Sequence, residues 1–140
     1  MTVYLDELKV GMRASSTHTI TEQDIELFGR ATGDMNPVHF DEEYARKTVF
    51  RGRVAHGVLT LGFMSAVLGN DLPGNGTIFV SSTTRFSAPV RIGDTVKTVC
   101  TVKELRERRQ VLLECRCSVA DKTVVEAEVI VMAPKKPASA

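Results

Sequence analysis

The run GVLTLGFMSAVLG, from Gly57 to Gly69, restricts the fold more than any other part of the chain. It carries no charge, and its apolar side chains point to nearly every side of a helical projection. A helix from Gly57 to about Leu68 therefore cannot be a surface element and should be wrapped by other structure. The run is shorter than the roughly 20 residues that cross a bilayer. What could wrap it lies downstream. The segments TIFVSSTTRF, DTVKTVCTV, RQVLLECRCSV and KTVVEAEVIVM are rich in β-branched residues, and Val111, Leu113, Cys115, Cys117 and Val119 alternate with polar neighbours as a half-buried strand requires. Helices followed by a run of strands predict an α+β domain, an antiparallel sheet curled round one central helix.

At 140 residues the chain suits one compact domain, placed at 1–133, with PKKPASA (134–140) as a frayed tail. The formal net charge of +1 supplies no field for nucleic acid or an anionic membrane, so neither is expected as a partner. The segment MTVYLDELKV lacks the basic-then-apolar layout of a signal peptide. Cys100, Cys115 and Cys117 form no CxxC pair, which argues for core packing over a disulfide framework or a zinc site, and for a reducing cytoplasm.

In the first half, Thr21 and Asp24 resemble a helix-start capping pair. Ile25, Phe28 and Ala31 follow at helical spacing until Gly33 offers a cap. Asp41 to Lys47 suits a second helical piece, with acids first and bases last. Between them, GDMNPVH is a turn in which Asp34 and Asn36 satisfy free backbone donors. Pro37 stiffens it, so Asp34 and His39 sit on a bent, restricted loop that permits them to converge. A carboxylate beside an imidazole is a usable acid and base pair; a helix-flanking salt bridge, a satisfied core histidine and a metal site are the competing readings, the last without a recognisable third ligand.

The second place of interest is His56-Gly57, where the buried helix should begin. A helix start offers unpaired N–H groups to an oxygen that gains negative charge, and Gly57 lets a ligand approach. Ser65, a little over two turns on, is near enough to approach the same ligand, although bonding to its own helix is the commoner outcome. Asn36, His56, Gly57 and Ser65 are thus the candidate oxyanion or substrate-binding residues. His18 is a lone polar residue on a strand-like stretch and reads as surface, and ELRERRQ reads as a solvated turn. There is no GxGxxG or P-loop, so no nucleotide cofactor is expected.

FGRATGDMNPVHFDEEYA resembles the hydratase motif of the MaoC-like family of hotdog-fold hydratases, most closely the (R)-specific enoyl-CoA hydratases that supply polyhydroxyalkanoate synthesis. VAHGVLTLGFMSAVLG resembles the family's central helix, and LPGNGTIFVSSTTRFSAPVRIGDTV its first long strand. Ala31 departs from the more usual larger aliphatic residue or glycine. The resemblance implies that Asp34 and His39 are the catalytic pair; the expected division has Asp34 orienting and deprotonating the water and His39 delivering the proton to C2, with exchanged roles or one water serving both ends as alternatives. It implies that the Gly57 N–H receives the thioester oxygen and that Ser65 joins the polar network. It also implies a homodimer, an acyl-CoA or acyl-carrier-protein substrate, and no cofactor or metal beyond the coenzyme A of the substrate itself. Dehydration of a 3-hydroxyacyl carrier protein, thioester hydrolysis, or a non-catalytic thioester-binding subunit are the alternatives.

Overall fold

The structure, a computed structural model, describes residues 1–138. Strand β1 (Arg13–Thr19) leads into helix α1 (Glu22–Thr32), two short helices, α2 (Pro37–Phe40) and α3 (Glu42–Arg46), and the long helix α4 (Gly57–Asn70). Four strands follow: β2 (Ile78–Phe86), β3 (Thr95–Leu105), β4 (Gln110–Val119) and β5 (Lys122–Met132). They form one antiparallel sheet in the order β1-β3-β4-β5-β2. Among the described residues no helix is long and apolar enough to cross a membrane.

The alternation in the sequence becomes the inner face of this sheet. Side chains two apart share a face, so Val96, Thr98, Cys100 and Val102 of β3 and Val111, Leu113, Cys115 and Cys117 of β4 are all buried. Thr60, Met64, Val67 and Leu68 of α4 are buried too, and the apolar ones among them join the same core. The cysteines are core residues, as expected. Cys100 and Cys115 face each other across the β3–β4 pair, and the closeness of the two thiols, with burial, raises the Cys100 pKa far above the usual thiol value. Burial pushes Cys117 up to about 11.

The helix α1 starts and stops where its sequence signals place it. Thr21 Oγ1 accepts from Asp24 N–H and Asp24 Oδ2 accepts from Thr21 N–H, a reciprocal cap. Gly33 ends it at φ 81°, its N–H donating to the Gly29 carbonyl at 2.8 Å. Two expectations need correction. The sheet covers one face of α4 and leaves the other open, with Val58, Gly62, Ser65 and Ala66 exposed, because five strands from one chain do not close around the helix. The segment after Asn36 is not a loop: α2 makes one helical turn, with Asn36 Oδ1 accepting from Val38 N–H at 3.2 Å and Pro37 at the position where a missing N–H costs nothing. The expected tail lies partly outside the described residues; Pro134, its first residue, is buried, and its carbonyl accepts from Leu5 N–H at 2.9 Å.

Candidate active site

The turn between α1 and α2 does two jobs at once. Asp34 N–H donates to Thr32 Oγ1 at 3.1 Å and Asp34 Oδ1 accepts from Asn36 N–H at 3.3 Å, the Asx turn its sequence suggests. The same geometry brings the Asp34 carboxylate and nitrogens of His39 and His56 to within 4.8 Å of one another. Asp34 itself stays exposed in the single chain, at the rim of the site.

His39, carried by α2, is 9% exposed, and its Nδ1–H donates to the Val54 carbonyl at 2.7 Å. A carbonyl only accepts, so Nδ1 holds a hydrogen and Nε2 is the nitrogen left for chemistry. Burial lowers the His39 pKa from its ordinary 6.5, and the neighbouring His56 and Arg53 act the same way, against the opposing pull of the Val54 bond and Asp34. The neutral imidazole is therefore favoured. Arg53 fixes the turn from behind: its Nε–H donates to the His39 carbonyl at 2.7 Å while Nη2 pairs with Glu22 Oε1 at 2.8 Å, tying α2 to α1.

His56, the cap residue of α4, was grouped with the oxyanion or substrate-binding candidates, but its placement gives it a different task. It is 2% exposed, stacks on His39 with ring centroids 3.8 Å apart, and packs against Phe28. Its Nε2–H donates to the Asp34 main-chain carbonyl at 3.0 Å, so it holds the two chemical residues in register. Its Nδ1 has no hydrogen-bond partner among the described residues. The trio has the donor types of a metal site. Stacked rings, however, hold their lone pairs in nearly parallel planes, a poor arrangement for two nitrogens that must both aim at one ion about 2.1 Å away.

Beside His39 lies a cavity of about 380 Å³, lined mainly by apolar groups such as Phe50, Val90 and Val125, with Asn36, Gly57 and Thr60 also on its wall. Gly57 opens α4, and a Cβ added there would meet the Phe86 ring at 2.9 Å, so the glycine is what lets that ring and the helix start share one wall. Ser65 is not part of this wall. Eight residues along a rise of 1.5 Å each, it lies about 12 Å from Gly57 along the axis, on the exposed face of α4. Arg53, the Val54 carbonyl, Thr60 and Phe86 escaped the sequence reading. Of these only Thr60 left a signal there, as a polar residue in an apolar helix, a signal it shares with Ser65.

Residues 6–124 match the family described as MaoC like domain. A Rhodospirillum rubrum protein named (R)-specific enoyl-CoA hydratase is 48% identical, over 95% of this chain and 93% of its own. A Methylorubrum extorquens protein named 3-hydroxybutyryl-CoA dehydratase is 45% identical, over 96% of this chain and 86% of its own. The unliganded R-hydratase of Pseudomonas aeruginosa superposes with a TM-score of 0.90 at 40% identity, covering 96% of this chain and 88% of that one. With the hotdog architecture in place, Asn36, His39 and Gly57 on one cavity wall and Asp34 beside His39, this chain belongs to the MaoC-like domain family.

Proposed function

We propose that this protein is a hydro-lyase, an (R)-specific enoyl-CoA hydratase that adds water reversibly to a trans-2-enoyl-CoA to give the (R)-3-hydroxyacyl-CoA. The observation that carries the reading is the pairing of Asp34 with a buried, neutral-leaning His39 beside an apolar cavity whose wall includes the amino end of α4. Relatives named for the same chemistry support it.

The tautomer of His39 refines the roles. With Nδ1–H held by Val54, neutral His39 has a lone pair at Nε2 and no proton there to deliver. It therefore acts first as the base, with Asp34 orienting the water by accepting its second hydrogen. As the water oxygen bonds to C3, one water proton passes to Nε2 and the C2=C3 electrons move onto the thioester oxygen. The free Gly57 N–H stabilises that oxygen by about 3 to 4 kcal/mol, by comparison with donors of this kind. The proton then passes from Nε2 to C2 on the same face, and the thioester carbonyl re-forms.

The reading includes a homodimer. Strand β2 is an edge with Ile78, Phe79 and Val80 exposed, and it lies in the same chain as the open face of α4. A second copy of the chain would cover both.

The test is loss of enoyl-thioester absorbance with crotonyl-CoA, followed by chiral analysis of the product. Asp34→Asn and His39→Ala should each lower turnover about a hundredfold to ten-thousandfold while circular dichroism stays that of the wild type. Near-normal turnover in both would end the assignment, and release of free thiol in place of hydration would mark a thioesterase.

A further inference from the structure

Thr60 is fully buried on α4, lines the cavity, and its hydroxyl has no hydrogen-bond partner among the described residues. A helical threonine ordinarily turns its hydroxyl back to a carbonyl one turn earlier, as Thr32 Oγ1 does to the Phe28 carbonyl at 2.7 Å in α1. Thr60 does not. Side chains on a helix lie over the turn that precedes them, so the Thr60 side chain covers the position of Gly57, three residues earlier. Gly57 has no side chain, the Phe86 ring lies against the place where a Cβ would be, and the Gly57 N–H belongs to the unpaired first turn of the helix.

We propose that Thr60 is a second hydrogen-bond donor to the thioester oxygen, acting beside the Gly57 N–H; the inference rests on the hydratase reading above. Negative charge develops on that oxygen as C3 is attacked, and an oxygen with more than one lone pair can take two donors. A hydroxyl suits the second position because its hydrogen rotates toward the charge as it forms. Shape alone does not call for threonine here, since valine fills nearly the same volume without burying a polar group. An unsatisfied buried hydroxyl weakens the free fold, so the residue is better explained by what it does when substrate is bound.

The experiment compares wild type, Thr60→Val and Thr60→Ser in crotonyl-CoA hydration and in thermal unfolding. Thr60→Val should lower kcat and kcat/KM together by about a hundredfold with KM little changed, as expected for a donor that acts mainly in the transition state. Its unfolding midpoint should equal or exceed that of the wild type, and Thr60→Ser should recover most of the lost turnover. Wild-type turnover in Thr60→Val, a loss confined to KM, a loss that serine does not recover, or a lower midpoint in Thr60→Val would each overturn the proposal. Wild-type protein without hydratase activity would remove the reading beneath it, an outcome distinct from a failure of Thr60 alone.

Discussion

His39 shows how much chemistry one main-chain contact can settle. The Val54 carbonyl fixes its tautomer, and burial favours the neutral ring, so in the proposed reaction a residue whose type allows acid or base starts as a base. Its folded pKa lies below 6.5, so between that folded value and 6.5 the unfolded chain binds more protons than the native one. The His39 contribution to stability is thus complete above 6.5 and is lost as pH falls through the folded value. An NMR titration of the His39 ring should show a midpoint below 6.5. In Asp34→Asn the midpoint should fall further, because the carboxylate is one of the influences that raise it. A midpoint at or above 6.5 in the native protein would contradict the burial argument. Asp34, Asn36 and His39 could be read from sequence because turn chemistry is local. His56, Arg53 and the Val54 carbonyl take their roles from contacts across 14 to 22 residues of chain, which no local pattern encodes.

Among the elements, the α1–α2 pair sets the site's precision. Gly29 of α1 packs so tightly on α2 that an added Cβ would lie 2.6 Å from Phe40 Cζ and 3.0 Å from Met35 Sδ. Gly29→Ala therefore opposes two effects: up to about 1 kcal/mol gained in helix propensity, and about 1 to 3 kcal/mol lost to overpacking. Overpacking should win, because Phe40 also edges onto the His39 and His56 rings and has little room to retreat. Urea unfolding should show a net loss of about 1 kcal/mol or more, and a more stable variant would show that the ring can yield. The limits of α1 and of β5 were legible because caps and alternation are written in consecutive residues. The single turn of α2 was not, since four residues are too few to display a helical period. Strand β1 is polar and largely exposed, so its place became visible only through its pairing with β3.

For the whole molecule, the apolar run in α4 told more than one chain can satisfy. Its side chains ask for cover on all sides, and the sheet supplies it on one. If a second copy covers the rest, sedimentation should give a dimer whose unfolding midpoint rises with protein concentration. Val80→Lys, which places a charge on the exposed β2 edge, should weaken the dimer by about 3 kcal/mol or more through burial of an unpaired charge. A wild-type monomer at all concentrations would refute the assembly and leave the exposed face of α4 unexplained. By itself the sequence determined an α+β fold with a sheet packed on one central helix and set Asp34 and His39 on one stiffened turn, because periodicity, capping and proline act over a few neighbouring residues; the hotdog class came from the resemblance of its motifs to the MaoC-like family. Only the tertiary structure decided which histidine nitrogen is free, that His56 clamps rather than binds, and that Thr60 and not Ser65 faces the cavity, since each depends on groups that meet only when distant segments pack together.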